Sequence, residues 1–201
     1  MIGGPCFPSL QTARLQLREI VAEDAVALYA IHGDPQLMRW FGGEPLADLD
    51  GARALVKAFA GWRELVNPGT RWGLELHDRP GLIGSCGLFS WNRQWRKCSV
   101  GYELAREAQG QGYMREALLA ILTWGYRHMG LNRVEALIHP DNLASIRLAA
   151  GIGFVAEGRL RELGYWGGRH HDMMQLALLR RDWGSAAGAA AVHGSAASTS
   201  W

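Results

Sequence analysis

The alternation of apolar and polar positions divides the chain into strands and helices that follow one another. Leu15 and Leu17, set between Arg14, Gln16 and Arg18, have the period of two of a half-exposed strand. Residues 22–32 read as a helix, and Asp34-Pro35 as the N-cap and first position of a second. A third helix starts from a cap near Asp48 and spaces Leu55, Phe59, Trp62 and Val66 along one face. Residues 72–76 and 82–89 read as strands joined by the hairpin signal His77-Asp78-Arg79-Pro80-Gly81. A strand over 98–104 precedes the best helix, 116–128, which offers Leu118, Leu119, Leu122 and Tyr126 to a core. A strand over 133–138, a helix over 142–150 and strands over 154–160 and 173–179 complete the order. This predicts a mixed α+β fold. Its central sheet is mostly antiparallel where hairpins join strands, parallel around helical crossovers, and flanked by about four helices.

Composition narrows the class. A chain of 201 residues suits one domain. The expected organisation is an N-terminal extension over 1–10, a domain over 11–183, and a tail over 184–201 with almost no side chain able to bury area. Lys and Arg number 21 against 19 Asp and Glu, a balance that argues against a nucleic-acid wrapper. Cys6, Cys86 and Cys98 are odd in number and form no Cys-x-x-Cys pair, so they read as reduced thiols. The longest apolar run, 117–124, is far short of the roughly 20 residues that span a bilayer. The first residues, Met-Ile-Gly-Gly-Pro-Cys, lack the features of a signal peptide. The expectation is a cytoplasmic protein with neither nucleic acid nor membrane as partner. The anomaly is glycine: 26 residues, where the average is about 7%.

The informative glycines are Gly110 and Gly112, between a strand and the longest helix. Glycine there lets a ligand approach the main chain, and the first N–H groups of a helix are unpaired and sit at the positive end of its dipole. That makes an anion site suited to phosphate or pyrophosphate. A P-loop would need Gly-x-x-x-x-Gly-Lys-Ser/Thr, which is absent, and a dinucleotide fingerprint would need glycine where Arg115 stands.

The pattern that fits is Gln/Arg-x-x-Gly-x-Gly/Ala, present as Gln109-Gly110-Gln111-Gly112-Tyr113-Met114, with Met114 where Gly or Ala is usual. In this segment the chain resembles the GNAT acetyltransferase superfamily, whose pyrophosphate loop for acetyl-coenzyme A has this form. Asn142-Leu143-Ala144-Ser145, continuing to Gly151-Ile152-Gly153-Phe154, is similar to the family's second block. Arg14-Leu15-x-Leu17-Arg18 and Arg161-Glu162-x-x-Tyr165-Trp166 resemble the RimJ/RimL-like branch, which acetylates protein N-termini. The resemblance covers about residues 12–183. It implies a sheet with a splayed pair of parallel strands, acetyl-CoA as donor, no metal, and direct transfer to a primary amine, foremost a protein N-terminus. A small-molecule amine as acceptor, or a non-catalytic CoA-binding module, stays open, as does the oligomeric state, a homodimer included.

Roles follow residue by residue. Backbone N–H groups of Gln109, Gly110, Gln111, Gly112, Tyr113, Met114 and Arg115 are expected to hold the pyrophosphate. By resemblance, the strand backbone at Tyr102, Leu104 and Ala105 bonds the pantetheine arm, and Asn142 bonds it from the other side, although Asn142 reads equally as a helix N-cap. The tyrosine that discharges the thiolate in many members is Ala149 here, and the branch looks instead to Ser145. The branch's glutamate falls on Gly164, with Glu162 two residues away and expected on the same strand face. Candidate bases are therefore Glu103, Glu162 and Glu135, in that order. An α-amine has pKa about 7.7–8.0 and lysine about 10.4, so neutralising lysine costs about 3.5 kcal/mol more, and a site without an obvious strong base suits an α-amine. Adjacent His170 and His171 point to opposite faces of a strand, which argues against a metal site. Trp40, Phe41, Trp91 and Trp95 fall in or beside loops and either line an acceptor pocket or pack locally. Arg115 and Glu116 are solvated charges, or Arg115 meets a phosphate.

Overall fold

In the computed structural model, residues 7–183 are described. The expected tail over 184–201, Cys6 and most of the extension over 1–10 lie outside them. The strands are β1 (Leu10–Gln11), β2 (Leu15–Arg18), β3 (Thr70–Leu76), β4 (Arg79–Asn92), β5 (Lys97–Leu104), β6 (Arg133–Ile138), β7 (Val155–Trp166) and β8 (Arg169–Leu179). The helices are α1 (Ala25–His32), α2 (Pro35–Met38), α3 (Leu49–Gly61), α4 (Tyr113–His128) and α5 (Leu143–Ile152). The helical count therefore exceeds the expected four, because Asp34 caps a separate short α2 by accepting from the Gln36 N–H. All eight strands form one sheet in the order β1-β2-β3-β4-β5-β6-β8-β7. Every neighbouring pair is antiparallel except β5 and β6.

The sheet is covered on both faces. The larger core gathers Trp72, Leu74 and Leu88 of the sheet with Met114, Leu118, Ile121 and Leu122 of α4 and Ile152 of α5. The smaller core joins α1 and α3 through Leu28, Ile31, Ala52, Val56 and Phe59. Adjacent Leu82 and Ile83 of β4 belong to different cores, as neighbours on a doubly covered strand must. At Gly125 a Cβ would lie 2.6 Å from Leu88 Cδ1, so glycine lets α4 settle on β4.

Three boundaries differ from the periodicity. α3 stops at Gly61, one 3₁₀ turn (Trp62–Glu64) follows, and Val66 is exposed instead of completing an apolar stripe. The β3–β4 turn is only His77-Asp78, since Arg79 already pairs with Leu76. β7 and β8 run on to a two-residue turn at Gly167-Gly168, with φ of 57° and 72°. Positive φ at both central residues matches the twist of a hairpin, and glycine adopts it freely. Among the described residues, no helix is long and apolar enough to cross a membrane.

Candidate active site

The functional geometry starts where β5 and β6 separate. They are in register only from Lys97 opposite Arg133 to Ser99 opposite Glu135. Beyond that the strands diverge, and Val100 to Leu104 on one side and Ala136, Leu137 and Ile138 on the other line a cleft of ≈ 1070 Å³. The β5 edge facing the gap therefore carries backbone N–H and C=O groups without a β6 partner.

One half of the cleft is built from main chain. After β5 the chain turns through Arg106–Ala108 and reaches Gly110 and Gly112, with φ of 75° and 80°. Gly112 is the N-cap of α4, and no side chain caps that terminus. The first bond of this end runs from the Glu116 N–H to the Gly112 carbonyl, which leaves the N–H groups of the first turn open. Gly110, Gly112, Tyr113, Met114 and Arg115 line the cleft, and a Cβ on Gly110 would meet nothing within 4 Å. These features fit a pyrophosphate. The loop is held from behind: Arg14 donates to the Gln111 carbonyl at 3.0 Å, lies over the Tyr113 ring, and pairs with Glu116 at 2.8 Å. Thr12 and the Arg14 N–H also donate to Glu116. Burial pushes the Glu116 carboxyl up, but these donors outweigh it and hold it below the usual carboxylate range.

Across the gap, α5 contributes Asn142, Ala144, Ser145, Arg147 and Leu148. Asn142 caps α5 by accepting from the Ser145 N–H at 3.2 Å. The Ser145 hydroxyl lies 2.7 Å from the Tyr102 hydroxyl, so a hydroxyl pair links β5 to α5 across the cleft. Burial raises the Tyr102 phenol above its usual value, with the Ser145 bond working the other way, and the phenol stays protonated at neutral pH. Ala149, where many family members have tyrosine, is 2% exposed and belongs to the core.

The other half is built from side chains. Leu37, Trp40, Phe41, Phe59, Trp62, Phe89 and Trp166 form its walls. Beneath them lies a charged group made by three adjacent strands: Arg71 of β3, Ser85 of β4 and Glu103 of β5. Both Arg71 and Ser85 donate to the Glu103 carboxylate, and Arg71 also donates to Ser85 at 2.7 Å. The Arg71 guanidinium faces Phe59 at 4.9 Å and Trp62 at 6.0 Å, so the aromatic cage already holds a cation. His32 of α1 brings Nε2 to 3.4 Å from Glu103 Oε1, yet that buried nitrogen has no aligned hydrogen-bond partner. Leaving such a group unpaired costs about 1–3 kcal/mol. Burial pushes Glu103 up, while Arg71, His32 and Ser85 pull harder and hold it below the ordinary glutamate value.

The second wall is a stack. Trp166 lies on His171 at 3.7 Å, His171 Nδ1 meets His139 Nε2 at 3.3 Å, and His139 stacks on Trp40 at 4.2 Å. The Asp141 N–H donates to His139 Nδ1, and Trp166 Nε1 donates to the Arg39 carbonyl. A hydrogen-bonded chain thus ties the β7–β8 hairpin to the loop after α2 and to the start of α5.

The structure sorts the residues expected at the site. Tyr102, Leu104, Gln109, Gly110, Gly112, Tyr113, Met114, Arg115, Asn142, Ser145 and Glu103 line the cleft. Ala105 does not line it. It is buried in the smaller core, its N–H bonded to the Ile83 carbonyl. Gln111 turns its side chain to the Glu107 carbonyl and its own carbonyl to Arg14. Glu162 does not share the face of Gly164. A bulge between Leu160 and Gly164 breaks the period of two, and Glu162 sits exposed at φ 52° with its N–H on Asp172. Gly164 itself reaches the cleft, but a Cβ there would lie 2.3 Å from Trp166 Cζ3, so the indole occupies the room a glutamate would need. Glu135 is bound by Lys97 and Arg133 at the closed end of the β5–β6 pair. Trp40 and Phe41 line the cleft, whereas Trp91 packs on the larger core and Trp95 is 67% exposed near Lys97. Glu116 is no free charge, as its bonds to Arg14 and Thr12 show. Arg71 and His32 carry no local sequence motif and join the site only through the fold. By spacing, Trp62 belongs to the apolar face of the third helix, and Trp166 enters only through the Tyr165-Trp166 motif. His171 is buried and His170 exposed, and among the described residues no group of three or more His, Cys, Asp and Glu could hold a metal ion.

The chain is 34% identical over 174 residues to the uncharacterized N-acetyltransferase YoaA of Bacillus subtilis (strain 168), covering 87% of this chain and 98% of that one. It is 31% identical over 113 residues to the [ribosomal protein uS5]-alanine N-acetyltransferase of Escherichia coli (strain K12), covering 56% and 58%. Its fold matches a crystal structure of spermidine N-acetyltransferase from Vibrio cholerae in complex with CoA and spermine. That match has a TM-score of 0.74 at 23% identity, covering 86% and 99%. The protein is an acetyltransferase, and acetyl-CoA is its donor. The chain belongs to the GNAT acetyltransferase family, whose domain matches residues 14–155.

Proposed function

We propose that the protein transfers acetyl from acetyl-CoA to the α-amine of a protein or peptide N-terminus. The observation that supports this acceptor is the character of the side-chain half of the cleft. Its walls are aromatic and aliphatic, and of the two carboxylates that line it the buried one is engaged by a cation while the other is exposed. Glu103 holds Arg71 and Ser85, and Glu44 accepts the Gly167 N–H at 2.5 Å. A polyamine carries several ammonium groups and calls for several free carboxylates. One α-amine followed by uncharged residues calls for an apolar wall and a single proton acceptor. The α-amine also gives up its proton at a pH about 2.5 units below lysine. Of the two relatives named for their acceptors, the uS5-alanine enzyme fits this wall better than the spermidine enzyme.

On this reading the N–H groups of Gly112 to Arg115 hold the donor's pyrophosphate at the positive end of α4. The open edge of β5 bonds the pantetheine arm as an added strand would. Asn142 contributes from α5 in addition to capping it. Ser145 and Tyr102 give a hydrogen bond, and then a proton, to the departing thiolate. The test is thiol release from acetyl-CoA with peptides beginning in Ala or Ser, with spermidine and with an aminoglycoside. Peptides are expected to exceed the small amines by about 100-fold or more in kcat/KM. Equal or better turnover of spermidine would overturn the acceptor. CoA binding without turnover on any acceptor would point to a binding module.

A further inference from the structure

The acceptor must lose a proton, and the cleft offers few groups to take it. Among the described residues that line it, His32, Glu44 and Glu103 carry the imidazole and carboxylate side chains. Glu44 is exposed to solvent and accepts the Gly167 N–H of the β7–β8 turn. Glu103 is 8% exposed and already accepts from Arg71 and Ser85, and so is held ionised as a counter-ion. Glu162 and Glu135 do not line the cleft. His32 is different. It lines the cleft, is only 3% exposed, and aims Nε2 at Glu103 Oε1 from 3.4 Å without a formed hydrogen bond. The Phe41 ring meets it edge-on at 5.1 Å, and the Leu46 N–H fixes its carbonyl at 2.8 Å. The charged groups it faces are Glu103 of β5 and, behind that carboxylate, Arg71 of β3.

We infer that His32 is the proton acceptor for the incoming amine, and that Glu103 is the positioning residue that orients its ring. Catalytic hydrogen bonds are often long in the absence of substrate and tighten in the complex. When acceptor fills the cleft, Nε2–H donates to Glu103, which leaves Nδ1 with the free lone pair. The amine arrives as an ammonium, His32 takes one of its protons, and the neutral nitrogen then bonds to the acetyl carbon. The carbon–sulfur bond breaks, the sulfur leaves with the bonding pair, and it receives the nitrogen's second proton through the Ser145 and Tyr102 hydroxyls. Water then removes the proton from His32, so no redox partner is needed. Arg71 keeps the Glu103 charge in place, which stops Glu103 from taking the proton itself.

The inference rests on the acetyltransferase reading and uses an α-amine peptide only as the assayed acceptor. The experiment compares wild type and His32→Gln between pH 6 and 9, with acetyl-CoA and an Ala-initiated peptide. Melting curves and CoA titration calorimetry control for folding. The expected result is a kcat about 100-fold lower at pH 7 with the KM for acetyl-CoA unchanged. The deficit narrows to about 10-fold at pH 9, where the amine is already neutral. A purely structural role would lower activity by the same factor at every pH, and that outcome overturns the inference. So does a variant with wild-type kcat. If the variant does not fold, NMR titration of the His32 ring in the wild-type protein decides. A midpoint that coincides with the acid limb of kcat/KM supports the role, and a ring that does not titrate between pH 5 and 9 removes it. A wild-type protein that does not turn over the peptide would instead overturn the proposed acceptor, and the pH comparison is then made with the amine that the acceptor panel shows to be acetylated.

Discussion

The two halves of the cleft are made of different material. The donor half is main chain: a strand edge left open by the β5–β6 splay, two glycines at positive φ, and an uncapped helix N-terminus. The acceptor half is side chain, drawn from α1, the loop after α2, α3, β3, β4, β5 and β7. Backbone geometry needs a few residue types at fixed spacing, and these lie in one stretch from residue 101 to 116. Side-chain walls need only shape and polarity, which many residues can supply from distant points of the chain. The donor half is thus what relatives with different acceptors can share, and the acceptor half is where they can differ.

That contrast can be broken deliberately, starting with the largest effect. Arg71→Met removes the cation under the acceptor half and leaves Glu103 buried without its partner. Deleting one member of a buried pair typically costs about 3–5 kcal/mol. Chemical denaturation is expected to show a loss of that size, and a change under 1 kcal/mol would mean that the pair is not the keystone of this wall. Gly112→Val acts on the other half. At φ +80° a β-branched residue costs about 1–2 kcal/mol, and its Cβ would lie 3.5 Å from Arg14 Nη2, the side chain that braces the loop. The KM for acetyl-CoA is expected to rise at least 10-fold with little change in the KM for the peptide. If both rise alike, the halves are not separable.

Tyr102 and Ser145 stand at the junction. Tyr102→Phe and Ser145→Ala are each expected to lower kcat about 10-fold. The double variant should be little worse than either single one, because the hydroxyls 2.7 Å apart act as a unit. Independent, multiplying effects would show that the thiolate is discharged by one of them alone. The smallest effect concerns the strut behind the glycine loop. The Glu116 carboxyl is held below its usual range, so its contribution to stability is full above about pH 4.3 and is lost as pH falls through the lower folded-state value. Arg14 is 47% exposed, so solvent screens the pair and the contribution is below about 1 kcal/mol. Glu116→Gln should therefore fall slightly behind wild type at pH 7, with the gap closing as acid protonates the carboxyl. A gap that persists in acid would assign the loss to packing.

The same difference in material explains what could be read in advance. The alternation at Leu15 and Leu17, the Asp48 cap and the α4 periodicity place elements because each is a local property of the chain. The glycine pair and the Asn142 cap locate the donor half for the same reason. Parity arguments failed where a bulge intervened: Glu162 and Gly164 are two apart in sequence but separated by a register shift that Asp172 holds in place. Arg71, Ser85 and Glu103 are 14 and 18 residues apart and meet only because β3, β4 and β5 are neighbours in the sheet. His32 joins them across a helix-to-sheet contact that no spacing announces. The tryptophans divide in the same way. Trp72 is a fully buried core residue, whereas Trp40, Trp62 and Trp166 are wall, and neither role has a sequence signature.

The most direct test uses one peptide that begins with alanine, carries an internal lysine and competes with an equal concentration of spermidine. The protein, acetyl-CoA and this mixture are incubated at pH 7.5, and the products are mapped by tandem mass spectrometry. The account predicts a single acetyl group on the α-nitrogen of alanine, with the lysine and spermidine left free. Acetyl groups on spermidine or on the lysine side chain in preference to the α-nitrogen would contradict it.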